Sequence, residues 1–354
     1  MEPTKRIEGG ITILSDENKN PVAKFANFPG YHTEFHYKTG WFMRYGNTQE
    51  EDPQWSPIGP EIVDMEISTI CHQGCAACYK SCTAEGQNMS IDTYKKILNK
   101  AGNQMTQVAL GIGSLWANPD LEAILAYTRE RKVVPNITIN GVYKDIKELE
   151  MLRKYCGAVA VSLYDYDTCY NTIKVLTQDI GMPYVNIHAL LSEESYDKCM
   201  KVIDDSLTDP RLAKMGHIVM LWLKPCGDRN TLHQLSVDKY ERLINYAQEK
   251  GARIGFDSCS ANKFEAATKK NGTYEAYKNY VEPCESALFS YYINVDGIGT
   301  PCSFCEQNGQ FKGIDVSNCN DFMKEVWMGE ETKAFRKNLL EHKRHCTAFN
   351  LEDK

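Results

Sequence analysis

Residues 61–259 alternate between two patterns of hydrophobic and polar positions. Short runs rich in Val and Ile are apolar at most positions, as expected for strands that are covered on both faces. The runs between them are amphipathic and of helical length, and one of them ends at Gly251, a helix-stop signal. The strand-like runs are 61–69, 107–112, 134–140, 157–163, 184–191, 217–223 and 253–258, and the helix-like runs include 91–101, 120–132, 195–207 and 237–250.

This repeated strand–helix order predicts an α/β fold. Consecutive β–α units form a parallel sheet with right-handed crossovers. Six or more such units are enough for a barrel or a partial barrel, in which the binding groups lie in the loops after the strands. We therefore expect the chemistry of this chain in the loops that follow the strand-like runs.

The two ends of the chain have different patterns. Residues 1–60 contain short strand-like runs separated by Gly and Pro turns, which predicts a β-rich extension. Its aromatic residues are expected to form a β core, with a peptide-docking surface as the alternative. These aromatic residues are Tyr31, Phe35, Tyr37, Trp41, Phe42 and Tyr45. Residues 259–354 are rich in cysteine and contain one helix-like run, 331–345, so the predicted domains are 1–60, 61–258 and 259–354.

Composition excludes some classes of function. Hydrophobic residues make up 42% of the chain and charged residues 25%, as in an ordinary globular protein. The net charge of −7 gives no general basic field, which argues against a nucleic-acid partner. No apolar stretch approaches the roughly 20 residues of a membrane span, and the first residues lack the apolar core of a signal peptide. We therefore expect a cytoplasmic protein without a membrane partner.

The chain contains 14 cysteines. Disulfides are disfavoured in the cytoplasm, so metal ligation, packing and redox chemistry are the remaining explanations. Four cysteines are scattered singly through the middle of the chain, where packing is the simpler interpretation. They are Cys156, Cys169, Cys199 and Cys226. The other ten lie in two groups, 71–82 and 259–346.

The first group contains Cys71, Cys75 and Cys78 in the spacing C-x-x-x-C-x-x-C. Three thiolates can hold three irons of a cubane cluster and leave the fourth iron open to a small molecule. A zinc site is the alternative, because Cys82 or His72 would supply the fourth ligand that zinc requires.

The cysteine loop after the first strand of a β–α array resembles the radical S-adenosylmethionine (radical SAM) superfamily. The resemblance implies a partial (β/α)6-type barrel and a 4Fe–4S cluster on this loop, with SAM bound at the open iron. Reductive cleavage of SAM would give a 5′-deoxyadenosyl radical that abstracts a hydrogen atom from the substrate. The implied SAM-binding residues are Gly111, Gly113, Asn140, Ser162 and His188. Ser114 stands near the position where the family often has Glu, and His188 is also explained as a core histidine.

The second group resembles the SPASM and twitch extensions of this family. Cys284, Gly297 and Cys302 have the spacing C-x12-G-x4-C, and Asp296-Gly297 predicts a hairpin turn between them. The chain lacks the longer cysteine run of a full SPASM domain, so we expect one auxiliary 4Fe–4S cluster. Its implied ligands are Cys259, Cys284, Cys302 and Cys346, with Cys305 as the alternative fourth ligand. A zinc ribbon is the other interpretation of these cysteines.

The resemblance implies an enzyme that modifies a peptide or protein, for example by crosslinking, epimerisation or oxidation. Its expected partners are the peptide, with a leader sequence that the β-rich extension could dock by strand addition, and a one-electron reductant such as flavodoxin or ferredoxin. Action on a small molecule or nucleotide is the alternative, and a non-catalytic zinc or iron–sulfur scaffold is a third hypothesis. Candidate catalytic residues at strand ends are Cys226, Asp257 and Lys224.

Overall fold

The computed structural model describes residues 4–306 and 311–348. Its N-terminal part is an antiparallel sheet whose five strands follow one another in chain order. They are β1 (Thr4–Glu8), β2 (Ile11–Ser15), β3 (Pro21–Phe28), β4 (Tyr31–His36) and β5 (Phe42–Tyr45). The Gly and Pro turns of this region therefore separate strands, as the sequence predicts.

A second sheet of ten strands forms the body of the protein. Seven of its strands are parallel and lie side by side in chain order, which confirms the predicted β–α array. They are β6 (Ile62–Glu66), β7 (Gln107–Gly111), β8 (Val134–Ile139), β9 (Val159–Ser162), β10 (Val185–Leu191), β11 (Ile218–Trp222) and β12 (Ile254–Phe256). Every strand-like run of the sequence between 61 and 258 contains one of these strands.

The other three strands come from the C-terminal region and extend the sheet beyond β6. They are β13 (Ser290–Ile293), β14 (Ile298–Thr300) and β15 (Ile314–Asp315). Strand β13 pairs in parallel with β6, whereas β14 and β15 continue the sheet in antiparallel pairing. The C-terminal hairpin is therefore part of the same sheet as the barrel strands.

Nine α-helices accompany these strands in the described part of the chain. They are α1 (Ile91–Ala101), α2 (Leu121–Glu130), α3 (Ile146–Tyr155), α4 (Tyr166–Lys174), α5 (Tyr196–Thr208), α6 (Val237–Lys250), α7 (Ala261–Lys270), α8 (Tyr274–Tyr277) and α9 (Glu330–Glu341). Helix α1 begins after Ser90, whose side chain accepts a hydrogen bond from the Thr93 amide. Helix α6 ends at Gly251, which adopts the left-handed conformation with φ of 67°.

The two faces of β6 show how the barrel is built. Val63, Met65 and Ile67 are at most 1% exposed and lie in the main hydrophobic core with apolar residues of the helices. Because side chains alternate along a strand, Asp64 and Glu66 project from the opposite face. Polar residues on that face of a curved parallel sheet line the interior of the barrel.

The N-terminal sheet contacts the starts of the barrel strands. Lys24 Nζ donates to the Met105 carbonyl oxygen (2.5 Å) just before β7, and the Tyr37 hydroxyl donates to the Lys132 carbonyl oxygen (2.7 Å) just before β8. Both contacts lie at the end of the barrel opposite to the cysteine loop, which follows β6. Tyr31 and Phe35 are buried, whereas Trp41 is 47% exposed, so the aromatic residues of this region only partly form a core.

Arg44 on β5 connects three parts of the chain. Its guanidinium lies 3.0 Å from a carboxylate oxygen of Glu61, which precedes β6, and 3.5 Å from one of Glu282 in the C-terminal region. The guanidinium also stacks on the ring of Phe289, 3.3 Å from its centroid. Burial and the Arg44 contact act on Glu61 in opposite directions, and burial prevails, so the pKa of Glu61 is raised.

None of the helices in residues 4–306 and 311–348 combines the length and the apolar character that a bilayer-spanning helix requires.

We predict that Arg44→Met destabilises the protein by about 3–5 kcal/mol, because it leaves the Glu61 carboxylate buried without its cationic partner. Arg242→Met is the matched control, since Arg242 is exposed on α6. Anaerobic thermal unfolding of the cluster-loaded proteins measures the difference. Equal melting temperatures for the two variants would contradict the prediction.

Candidate cluster and cofactor site

The cysteine loop follows β6 and is closed by contacts between its two ends. The Cys71 amide donates to the Thr83 carbonyl oxygen (2.8 Å), and Met89 donates back to Ile67 (3.0 Å). Inside the loop the Cys78 amide donates to the Cys75 carbonyl oxygen (3.3 Å). The backbone thus holds the three predicted ligands in one short turn at the C-terminal end of β6, where barrel enzymes place their chemistry.

The thiols of this loop are close enough to influence one another. Charges on Cys71 and Cys78 contribute to raising the pKa of Cys75, although burial is the larger cause. A hydrogen bond from the Cys82 thiol lowers the pKa of Cys78 to about 5. Tyr164, which follows β9, also reaches the Cys75 thiol. The loop therefore presents four neighbouring sulfurs, the three of the motif and Cys82.

The donor set of this loop can be compared with the needs of zinc and of a cluster. Within residues 4–306 and 311–348, no set of three or more His, Cys, Asp or Glu side chains is spaced to hold a single metal ion. A zinc ion with Zn–S bonds of about 2.3 Å brings its thiolates to within about 4 Å of one another. Each iron of a cubane cluster takes one thiolate, so the thiolates that bind a cluster lie farther apart than those that bind a single zinc ion.

Gly113 lies against the cysteine loop. A Cβ atom at Gly113 would lie 2.3 Å from the Ile70 carbonyl oxygen and 2.5 Å from the Cβ of Cys71. The side chain of Asn140, at the end of β8, donates to the Gly113 carbonyl oxygen (3.2 Å). The absence of a side chain at Gly113 thus allows its backbone to lie close to the cysteine loop. A contact between Gly113 and SAM stays a prediction.

The other predicted SAM-binding residues lie on the interior face of neighbouring strands. Gly111 stands beside Glu66, and Ser162 on β9 is in register with His188 on β10. His188 Nδ1 is 3.5 Å from the Thr138 hydroxyl, and burial lowers the pKa of His188 to about 4, so its ring is neutral at pH 7. These residues form a continuous interior wall, which is consistent with a ligand site at this end of the barrel.

Asn186 is the exception among the polar residues of β10. Its side-chain oxygen accepts a hydrogen bond from the His217 amide (2.9 Å) at the start of β11. It therefore joins two strand starts, far from the cysteine loop.

The second cysteine group is also brought together. Cys259 follows β12. Burial is the main cause of the raised pKa of Cys259, and the neighbouring thiols Cys302 and Cys284 raise it further. Cys284 is influenced in turn by Cys302 and Cys346. Cys305 is fully buried and hydrogen-bonds with Cys302. The four predicted ligands and Cys305 are therefore linked by mutual influences on their ionisation.

The predicted hairpin places Cys302 in this group. Strands β13 and β14 pair with Tyr292 opposite Thr300, and Gly297 in the turn has φ of 83°, a conformation that favours glycine. Because Cys259 comes from the β12 side and Cys302 from the β14 side, the group lies between the two sides of the opening in the partial barrel. Cys319 is elsewhere, with its thiol donating to the Val316 carbonyl oxygen (3.3 Å).

A polar network joins the cysteine loop to the hairpin. Lys80 Nζ donates to the Tyr292 hydroxyl (2.6 Å), lies 3.4 Å from a carboxylate oxygen of Glu66 and forms an ion pair with Glu306. Next to it, the rings of Tyr79 and Phe304 have centroids 4.6 Å apart. Residues 79–80 thus contact the segment that carries Cys302 and Cys305, and sequence analysis gave no signal for this contact.

The candidate catalytic residues Lys224 and Asp257 form an ion pair with each other. Asp257 also accepts a hydrogen bond from the Trp222 amide (3.2 Å), and Lys224 contacts the Cys259 thiol. Burial raises the pKa of Cys226 to about 11, so its thiol is protonated at pH 7. Lys224 thus contacts the second cysteine group at Cys259, and the catalytic roles of Lys224, Asp257 and Cys226 stay predictions.

Asp64 is an interior residue that sequence reasoning did not select. Asp64 is exposed to water, yet the protein around it keeps its carboxylate incompletely solvated, and this desolvation raises the pKa of Asp64 to about 6. In the part of the chain that the structure describes, the Asp64 side chain has no hydrogen bond and no ion pair. The alternation of polar and apolar residues in 61–69 was the available signal, because it puts Asp64 and Glu66 on one face.

The chain matches no known family model and no curated protein. Solved structures do share its fold. Streptococcus suis SuiB bound to precursor peptide SuiA has a TM-score of 0.69 at 13% identity, over 94% of this chain and 90% of that chain. SuiB bound to S-adenosylmethionine has a TM-score of 0.62 at 14% identity, over 78% and 68% of the two chains.

A third structure, anSMEcpe with bound AdoMet and Cp18Cys peptide, has a TM-score of 0.56 at 15% identity, over 82% of this chain and 87% of that chain. At identities this low, the structural similarity establishes the fold alone. The shared fold confirms the architecture that the radical SAM resemblance implied, a partial barrel followed by a cysteine-rich C-terminal region.

We predict that Asp64→Asn raises the melting temperature of the cluster-loaded protein at about pH 8. The folded state raises the pKa of Asp64 above its unfolded value, so the charged carboxylate costs stability as pH rises through about 6. The gain should be smaller at about pH 5, where the folded protein already holds the neutral acid. Asp197→Asn, an exposed substitution on α5, should give no gain. A lower melting temperature for Asp64→Asn at about pH 8 would refute this reasoning.

Proposed function

We propose that this protein is a radical SAM enzyme that modifies a peptide or protein by hydrogen-atom abstraction. The observation that carries the proposal is the position of the C-x-x-x-C-x-x-C loop, directly after the first strand of a parallel partial barrel. This position puts three thiolates beside the polar interior wall, so a cluster on the loop would face a ligand and a substrate inside the barrel.

In this proposal Cys71, Cys75 and Cys78 would hold a 4Fe–4S cluster, and the iron without a cysteine ligand would be open to SAM. When bound, the cluster and SAM supply a 5′-deoxyadenosyl radical. Asn140 fixes the loop after β7 through Gly113, and Ser162 and the neutral His188 offer hydrogen-bonding groups to the nucleoside.

The chain's own residues would also restrict the access of water to the reaction space. The hairpin β13–β14 extends the sheet beyond β6 and carries the chain toward Cys302. Tyr79 and Phe304 pack together there, and Tyr292 is only 3% exposed. Such packing would help to protect a reactive radical from other hydrogen donors.

We further propose one auxiliary 4Fe–4S cluster held by Cys259, Cys284, Cys302 and Cys346. The mutual proximity of these thiols supports it. Cys305 is the alternative fourth ligand, since it lies next to Cys302. Such a cluster would take up or deliver an electron, with an external reductant such as flavodoxin or ferredoxin as partner.

A peptide substrate is supported by the proteins that share the fold. The SuiB structure contains precursor peptide SuiA, and the anSMEcpe structure contains Cp18Cys peptide. Both cover more than four-fifths of this chain.

The activity test measures 5′-deoxyadenosine formed from SAM and dithionite by the anaerobically reconstituted protein. The wild-type protein and Cys82→Ser should form it, because Cys82 lies outside the proposed ligand set, whereas Cys75→Ala should form none. If Cys82→Ser and Cys75→Ala lose bound metal equally, a four-thiolate zinc site replaces the cluster proposal.

Iron counting tests the auxiliary cluster. We expect about eight irons per chain in the wild-type protein and about four in Cys302→Ala, since each 4Fe–4S cluster is lost as a unit. Cys319→Ala is the matched control and should keep the wild-type iron count, because Cys319 lies outside the group. Cys346→Ala should lose the auxiliary cluster and Cys305→Ala should keep it, and the reverse result would make Cys305 the fourth ligand.

A further inference from the structure

Asp64 stands on the wall of the barrel interior. Its register neighbours are Ala109 on β7 and Tyr292 on β13. Asp64 is exposed to water on this face although protein surrounds it. Its carboxylate is therefore accessible from the barrel interior.

The lysines near this wall are already engaged. Lys80 is held by Glu66 and Glu306, and Lys224 is held by Asp257. Neither lysine has a hydrogen bond or ion pair with Asp64 among the described residues.

In residues 4–306 and 311–348, no other cationic side chain pairs with Asp64 either. Burial alone accounts for the raised pKa of Asp64, with no contribution from a neighbouring cation. His188, on the interior face of β10, is neutral at pH 7 because burial lowers its pKa to about 4. The interior around Asp64 thus has an excess of negative charge, which attracts a cationic group.

An unpaired carboxylate in a poorly solvated place is costly to the folded protein. Where a fold carries such a cost at a site open to ligands, a ligand of opposite charge can supply the missing partner. We propose that Asp64 is a substrate-binding residue that pairs with a Lys or Arg side chain of the peptide. The inference rests on the proposed peptide-modifying function and adds a charge requirement to its substrate.

The sulfonium of SAM is a second possible source of the cation. Asp64 lies two residues before Glu66 on β6, on the side away from the cysteine loop. At about 3.3 Å per residue, it is about 7 Å farther along the strand from that loop than Glu66 is. This position favours a group of the substrate over the sulfonium, which would be bound beside the loop.

The test uses full-length, cluster-loaded protein immobilised under anaerobic conditions with SAM present. The probe is a library of short capped peptides with every position randomised, and retained peptides are sequenced by mass spectrometry. The wild-type protein should enrich Lys- or Arg-containing peptides over their Gln and Met counterparts by about fivefold, as expected for one partly solvated ion pair. Asp64→Asn should lose this preference, and Asp64→Lys should favour Asp and Glu instead. Asp197→Asn should behave as the wild-type protein does.

Peptides retained by the wild-type protein without a preference for Lys or Arg would overturn the role of Asp64 and leave the proposed function intact. Retention of no peptide by a protein that cleaves SAM would overturn the peptide substrate, and the inference with it. If Asp64→Asn instead raises the KM for SAM in peptide-free cleavage more than threefold, the cation is the sulfonium, and the inference is wrong. Asp64→Asn keeps the shape of the side chain, so these outcomes do not depend on whether Asp64→Lys folds.

Discussion

The parallel pairing of β13 with β6 is the constraint on which the rest of the site depends. Strand β6 leads into the cysteine loop, and β13 begins the hairpin that ends near Cys302, so one ladder of hydrogen bonds connects both cysteine groups. The pairing puts Tyr292 in register with Asp64 and within 2.6 Å of Lys80. A C-terminal region that folded without this pairing would leave the barrel open beside its first strand.

Charge in the interior follows from the same pairing. The hairpin brings Glu306 to Lys80, which Glu66 already contacts, so a single ammonium group is shared by two carboxylates. Sharing of this kind stabilises a buried network only when each member has hydrogen-bond partners, and Glu66 has one in the Val295 amide (3.2 Å). Asp64 lies on the same strand but outside the network. The two carboxylates therefore differ. Glu66 finds its partners within the fold, whereas Asp64 is left for a ligand.

The sequence patterns were sufficient for the barrel and its cysteine loop, because alternation and motif spacing are local signals. Runs of apolar residues located all seven parallel strands, and Asp296-Gly297 located the hairpin turn. The pairing of β13 with β6 joins segments more than 200 residues apart, and no local signal specifies it. The Lys80–Glu306 ion pair depends on that pairing, and the role of Gly113 against Ile70 depends on how the loop turns back, so neither could be read from spacing alone.

The N-terminal sheet is better explained as part of the structural framework than as a separate docking module. Tyr31 packs with Leu288, Phe289 and other apolar residues of the C-terminal region, and its hydroxyl donates to Glu61 (2.5 Å). Arg44 reaches both Glu61 and Glu282. Because Glu282 lies two residues before Cys284, a shift of this sheet would displace a proposed ligand of the auxiliary cluster. A leader peptide bound to this sheet would therefore contact a part of the protein that is connected to the proposed cluster ligand Cys284. Exposed residues such as Trp41 are the positions at which such a peptide could bind.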